Sequence, residues 1–127
     1  MLTVRRHVDA SPNTVWSLLV DLEAWPLWGP SVTRAELDHG TELGLGSRGR
    51  VWTPVGVPLP FEITDFVPGR RWSWHVAGIP ATTHGVVASG RGTSASMSAP
   101  LWAPAYLPVL ALGLRRLEQL ALDRAAG

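Results

Sequence analysis

The sequence predicts a single α+β domain, residues 1–127, in which an antiparallel sheet with one apolar face packs against a C-terminal helix. Three observations predict it. The length of 127 residues suits one domain with a substantial core. Short runs typical of strands, separated by glycine and proline, fill residues 31–99. The end of the chain carries leucines at helical spacing.

Composition narrows the classes of function. The chain has no cysteine, which excludes disulfides and thiolate chemistry. Its net charge is +1 and its basic residues are all arginines scattered along the chain, so no nucleic-acid partner is predicted. The first residues contain no apolar stretch, so we expect no signal peptide and a cytoplasmic location. The seven tryptophans need buried positions, and the wall of a cavity would provide them.

The first third of the chain predicts a strand and then helix. Residues 2–9 alternate imperfectly between apolar and polar, as in a strand. Ser11-Pro12 is typical of a helix N-cap followed by a first-turn proline. Apolar residues then recur at helical spacing: Val15, Trp16, Leu18, Leu19 and Leu22. We expect the helix, or pair of helices, to end near Trp25, because Pro26 and Gly29-Pro30 break it.

Residues 31–99 have room for about six strands of ordinary length, joined as a meander. Period-two alternation sorts their side chains into two faces. One face is predicted to be apolar: Val51, Thr53, Phe61, Ile63, Trp72, Trp74, Val76, Thr82, His84 and Val86. The other is predicted to be polar: Arg48, Arg50, Glu62, Thr64, Ser73, His75 and Thr83. Trp52 is the one large apolar residue that falls on the polar face.

The last segment predicts an amphipathic helix. Its apolar stripe consists of Leu107, Leu110, Leu114, Leu117 and Ala121. The preceding apolar run, residues 99–114, is shorter than the roughly 20 residues that a membrane-spanning helix needs. It also contains three prolines, so burial against the sheet is favoured and no integral membrane segment is predicted.

Two motif classes are rejected. Residues 44–49 match the G-x-G-x-x-G pattern, but a strand rather than a helix is predicted to follow, so there is no helix N-terminus to hold a pyrophosphate. The four histidines lack the spacing of metal ligands, and neither H-E-x-x-H nor G-x-S-x-G occurs. The sequence therefore predicts neither a metal site nor a cofactor.

His84 is the candidate for chemistry, because it is the single titratable residue in mid-strand on the apolar face. Asp65 is expected at a strand end, within reach of water. Desolvation would lower the pKa of His84 and keep it neutral near pH 7, ready to accept a proton or a hydrogen bond. The alternative is that it only satisfies a backbone or hydroxyl partner in the core.

A further set of residues runs along nearly the whole chain: Val8-Asp9-Ala10-Ser11-Pro12, Val15-Trp16, Asp21, Trp25-Pro26-Leu27-Trp28, Gly46-Ser47-Arg48-Gly49-Arg50, Phe61-Glu62-Ile63-Thr64, Pro68-Gly69-Arg70-Arg71-Trp72-Ser73-Trp74 and the strand with His84. In this order and spacing they resemble the START/polyketide cyclase superfamily, also called SRPBCC. The resemblance implies the helix-grip fold of the birch-pollen allergen. That fold is a curved, seven-stranded antiparallel sheet around a long C-terminal helix, with two short helices over about residues 12–28.

The resemblance also implies an interior cavity. Its sheet side would be formed by Val51, Phe61, Ile63, Trp72, Trp74, His84 and Val86. The residues facing them from the last helix would be Trp102, Tyr106 and Leu110. Trp28 would lie at the mouth of the cavity.

Three functions remain open. The first is binding of an apolar, ring-containing small molecule, lipid or polyketide-like, in the cavity. The second is a cofactor-independent polyketide cyclase or dehydratase in which His84 is the general base, with an enolate stabilised by Trp72, Trp74 or Tyr106. The third is a protein-interaction module that uses Trp52. The apolar face offers no second acid or base to return a proton, which favours binding over catalysis.

Overall fold

A computed structural model describes all residues from 1 to 127. Its strands are β1 (Leu2–Val8), β2 (Arg34–Leu37), β3 (Arg48–Trp52), β4 (Pro58–Val67), β5 (Arg71–Val76), β6 (Ile79–Ser89) and β7 (Gly92–Ala99). Its helices are α1 (Pro12–Val20), α2 (Trp25–Trp28) and α3 (Leu107–Ala126), and a 3-10 turn (Pro104–Tyr106) precedes the last.

The seven strands form one antiparallel sheet in the order β1-β7-β6-β5-β4-β3-β2. Helix α3 packs against β1 and β7 and is also contacted by α1 and α2. Its buried side consists of Leu110, Gly113, Leu114, Leu117 and Ala121. The helix-grip α+β fold, with six strands between residues 31 and 99, is therefore confirmed.

The start of α1 has the expected cap, and the helical region ends at Trp28, before Gly29-Pro30, as expected, but the role of Pro26 differs from the expectation. Ser11 Oγ accepts a hydrogen bond from the backbone N–H of Thr14, and Pro12 lies in the first turn. Helix α1 already ends before Asp21. Pro26 does not terminate a helix, because it lies in the first turn of α2, where its missing N–H breaks no helical hydrogen bond.

The two predicted faces of the sheet are observed. Val51, Ile63 and Trp72 are buried on the inner face. On the outer face Arg48 pairs with Glu62 across β3 and β4, with 3.2 Å between Nη2 and Oε1. Arg48 is largely and Glu62 partly exposed to solvent, so this ion pair contributes little stability.

Asp65 departs from its expected place at a strand end. It lies inside β4, just after a register shift that follows Ile63. Its carboxylate accepts a hydrogen bond of 2.7 Å from Arg71 Nε and remains partly exposed. This bond and the charge of Asp65 raise the pKa of Arg71. Asp65 therefore lies at the surface and reaches water, as expected, although it lies within β4 and not at a strand end.

Gly49 allows β3 to lie against a large ring. It faces Phe61 on β4, and a Cβ atom there would come within 2.2 Å of the Glu36 carbonyl oxygen and 2.8 Å of the Phe61 ring. We expect Gly49→Ala to lower the free energy of unfolding by about 1–3 kcal/mol, measured by urea denaturation. Gly44→Ala is the control, because a Cβ at Gly44 has no neighbour within 4 Å. Equal losses in the two variants would contradict the steric explanation.

Candidate functional site

The interior between sheet and helices is filled by a stack of aromatic rings. Trp25 of α2 stacks on Trp72 of β5, with 5.1 Å between ring centroids and 18° between planes. Trp72 stacks in turn on His84 of β6 at 4.0 Å. The indole N–H groups of Trp25 and Trp72 both donate to the Leu19 carbonyl, at 2.8 and 3.1 Å. This stack occupies the space in which a larger cavity was expected.

His84 lies at the end of the stack and is only 3% exposed. Its Nε2 is 3.2 Å from the Thr82 hydroxyl, which accepts a hydrogen bond of 3.0 Å from the indole N–H of Trp74. Its Nδ1 has no hydrogen-bond partner. Burial lowers the pKa of His84 to about 3, and the nearby backbone of Trp72 opposes this effect only in part. The imidazole is therefore neutral at pH 7.

A small inner space adjoins His84. Its volume is about 30 Å³, which holds little more than a water molecule. Four of the expected cavity residues line it without reaching the larger pocket: Trp28, Trp72, His84 and Leu110. The ring of Trp28 packs edge-on against His84, with 5.6 Å between centroids. No ring-containing ligand fits this space as it stands.

A larger pocket of about 360 Å³ opens at the end of the sheet where β3 and β5 finish and β4 and β6 begin. It is lined by Ser31, Val32, Val51, Thr53, Leu59, Trp74, Val76, Ile79, Pro80, Ala81, Thr82, Pro100, Trp102, Ala103 and Tyr106. None of these side chains is charged. Five residues line both spaces, so the pocket and the inner space are neighbours: Ser31, Val32, Trp74, Thr82 and Tyr106.

The polar groups of this pocket are hydroxyls. Tyr106 and Ser31 are joined by a hydrogen bond of 2.6 Å between their hydroxyl oxygens. Thr82 lies between the pocket and His84 and is held by Trp74. Hydroxyls on apolar walls orient a ligand without requiring it to carry charge.

Several expected cavity residues lie elsewhere. Phe61, Ile63 and Val86 line neither space, because they are buried in the core. Phe61 packs against Trp25 and Trp74, with centroid distances of 5.6 and 5.5 Å. The expectation that these three residues line a cavity is therefore corrected.

Two tryptophans differ in position from the expectation. Trp28 is not at a mouth, since it is only 5% exposed and its indole N–H donates to the Leu18 carbonyl at 2.9 Å. Trp102 does not face the sheet from the last helix. It lies before α3, at the rim of the larger pocket, and is 68% exposed.

Sequence reasoning missed Trp25 as the residue that fills the interior, and it missed most of the pocket wall. Thr53, Val76 and Thr82 were assigned to the apolar face but not to the cavity. The other missed wall residues lie in turns and at strand ends: Ser31, Val32, Leu59, Ile79, Pro80, Ala81, Pro100 and Ala103. Period-two alternation has no meaning in such segments, so no simple pattern marks them. The positions of glycine and proline did indicate where the turns lie.

The fold and the pocket together define a small helix-grip domain with an open apolar pocket. The chain belongs to the family described as polyketide cyclase / dehydrase and lipid transport, whose model matches residues 1–126. A comparison with curated protein sequences finds no match. None of the helices combines the length and the apolar character that crossing a membrane requires.

Solved structures share the fold at low sequence identity. A protein from Mesorhizobium loti has a TM-score of 0.76 at 19% identity, over 97% of this chain and 96% of its own. One from Nitrosomonas europaea has a TM-score of 0.72 at 18% identity, over 99% and 96%. The Aha1 dimer from Colwellia psychrerythraea gives 0.68 at 16% identity, over 94% of each chain.

Proposed function

We propose that the protein binds an uncharged, apolar, ring-containing small molecule, lipid or polyketide-like, in the larger pocket. The observation that carries the proposal is the pocket of about 360 Å³ with predominantly apolar walls and no charged side chain. This volume lies within the range of small-molecule sites, roughly 300–1,000 Å³. A carboxylate or ammonium group buried here would find no counter-charge, so the ligand is neutral in the part that enters.

The hydroxyl groups of the pocket indicate which polar group a ligand would carry. Ser31 and Tyr106 carry one hydroxyl proton each, and their mutual hydrogen bond uses one of the two. The other remains available for an acceptor on the ligand. A carbonyl or ether oxygen on a ring system matches this arrangement, and the exposed ring of Trp102 offers a surface for stacking.

Catalysis by His84 has weaker support. A general base works best when its pKa is near the working pH, whereas burial lowers the pKa of His84 to about 3. Its Nε2 is directed to the Thr82 hydroxyl, and only the inner space of about 30 Å³ adjoins the ring. These features favour a role in which His84 holds Thr82 in place over one in which it removes a proton from a ligand.

A protein-interaction role for Trp52 is also less favoured. The guanidinium groups of Arg34 and Arg50 lie 4.5 and 5.5 Å from the centre of its ring. Both arginines are further fixed by Glu36, at 2.8 Å each. The ring is thus engaged within its own sheet by cation–π contacts.

A pocket-filling substitution tests the proposed binding. Val76 ends β5 and lines the larger pocket, so Val76→Phe places a ring in the ligand's space. We expect the affinity for the neutral fluorescent probe N-phenyl-1-naphthylamine to fall by about tenfold or more, because the added ring occupies space that the probe needs; tenfold corresponds to about 1.4 kcal/mol of binding free energy. Titration with the probe, followed by its fluorescence, measures this change.

Val87→Phe is the matched control, because Val87 is exposed on β6 and lines neither space. We expect it to bind the probe like the wild-type protein. Wild-type protein that leaves the fluorescence of the probe unchanged would contradict the proposed function. So would an equal loss of affinity in the two variants.

A further inference from the structure

Three connections at one end of the sheet carry no charged side chain. Residues 51–61, 76–83 and 92–114 are free of Asp, Glu, Lys and Arg. The first two segments contain the β3–β4 and β5–β6 connections, and the third contains the chain that leaves β7 towards α3. Neighbouring strands of the sheet are antiparallel, so β3, β5 and β7 run in the same direction, and the connections that follow them lie at the same end of the sheet, around the larger pocket. We call this end of the sheet the charge-free end.

Large apolar side chains are exposed at the charge-free end. Val55, Val57, Ile79, Leu101 and Trp102 are each between 49% and 83% exposed. Exposed apolar residues are ordinary when scattered, but a cluster around a pocket marks an interaction surface. They lie in or directly beside three separate connections, so they do not form one continuous segment. A flat, closed patch for a protein partner would also need a polar rim, which these connections lack.

The charges nearest to this end are basic. Arg34 begins β2, where it is paired in register with Trp52 at the end of β3, and Arg50 is two residues away. Glu36 pairs with both arginines and leaves one positive charge in the group. Five of the other nine acidic residues lie at the opposite end of the domain, in the turn after β1, between α1 and α2, and in the connection from β2 to β3: Asp9, Asp21, Glu23, Asp38 and Glu42. Glu62, which follows the first charge-free segment, is paired with Arg48. The distribution suits a negatively charged partner.

We propose that the charge-free end binds reversibly to the surface of an anionic lipid bilayer, with the tips of its three connections entering the headgroup region. The exposed indole of Trp102 suits the boundary between headgroups and acyl chains. Arg34 and Arg50 would contact anionic headgroups beside the inserted tips. The pocket then opens towards the acyl layer, so a ligand enters without crossing water, a consequence that rests on the proposed function.

Vesicle binding tests the proposal with the full chain. The vesicles contain phosphatidylcholine with a minor share of phosphatidylglycerol, and binding is measured by co-sedimentation and by quenching of tryptophan fluorescence by brominated acyl chains. We expect the wild-type protein to bind, and Leu101→Asp to weaken partitioning by about tenfold or more. Leu45→Asp is the matched control, because Leu45 and Leu101 are both 71% exposed, and Leu45 lies in the connection from β2 to β3, at the opposite end. We expect it to bind like the wild type.

Several results would overturn the proposal. They are failure of the wild-type protein to bind the vesicles, an equal loss in the two variants, and equal binding to vesicles without phosphatidylglycerol. A dimer in light scattering that Leu101→Asp dissociates, without vesicle binding by the wild type, would instead assign this end to a second copy of the chain. Binding of N-phenyl-1-naphthylamine without vesicles is measured in parallel. Because Leu101 does not line the pocket, failure of vesicle binding is distinguishable from failure of ligand binding.

Discussion

Replacing Trp72 with alanine is expected to lower the free energy of unfolding by about 3–5 kcal/mol, as for other buried large-to-small changes. Trp72 is fully buried, and its ring lies between Trp25 and His84. Its indole N–H also donates to the Leu19 carbonyl, which ties β5 to α1. The substitution therefore removes packing on both faces of the ring and one buried hydrogen bond. Urea unfolding followed by circular dichroism measures the change.

Trp52→Ala provides the control for this prediction. Trp52 lies on the outer face, where its ring contacts the guanidinium groups of Arg34 and Arg50. An exposed cation–π contact contributes roughly 0.5–1 kcal/mol, so we expect a loss of about 1 kcal/mol or less. If Trp72→Ala does not fold, Trp72→Phe keeps a ring in the stack and gives a smaller, measurable loss. Equal losses at the inner and outer tryptophans would contradict the assigned role of the stack.

The sheet was predictable because period-two alternation reports directly which side of a strand is buried. Val51, Ile63 and Trp72 are on the inner face as expected. Alternation does not report what lies opposite a buried side chain. Trp25 comes from a four-residue helix whose position depends on the tertiary fold, and its ring fills the space in front of Phe61 and Trp72. Whether an inner-face residue lines a cavity or a packed core therefore could not be predicted from the strands alone.

Most of the pocket wall escaped prediction for a related reason, although four expected residues do line it: Val51, Trp74, Trp102 and Tyr106. Its outer wall includes Pro100, Trp102 and Ala103, which belong to an irregular segment between β7 and α3. The resemblance placed Trp102 on the last helix, but Pro104 begins a 3-10 turn and α3 begins only at Leu107. The course of such a segment is set by its contacts with the rest of the fold. His84 was identified because a titratable residue among apolar neighbours is visible in the sequence itself.

The stability of the protein is expected to fall steeply in acid because of His84. Its pKa is about 3 in the folded protein, against the ordinary value of 6.5. Below pH 6.5 the unfolded chain binds a proton that the folded protein does not, so the free energy of unfolding decreases as the pH falls towards 3. The contribution of the neutral His84 to stability is fully present above pH 6.5 and is lost between pH 6.5 and about pH 3. Between about pH 7 and about pH 3.5 we expect His84 alone to reduce the free energy of unfolding by about 3–4 kcal/mol.

Comparison with variants separates this effect from the titration of the carboxylates. His84→Leu removes the titrating group from the buried position, and His39→Leu removes an exposed histidine in the connection from β2 to β3. Urea unfolding of the three proteins is measured at both pH values. We expect the wild type and His39→Leu to lose equal amounts of unfolding free energy between the two pH values. We expect His84→Leu to lose about 3–4 kcal/mol less. If all three proteins lose the same stability, the imidazole is not buried in its neutral form, and its role in holding Thr82 fails with it.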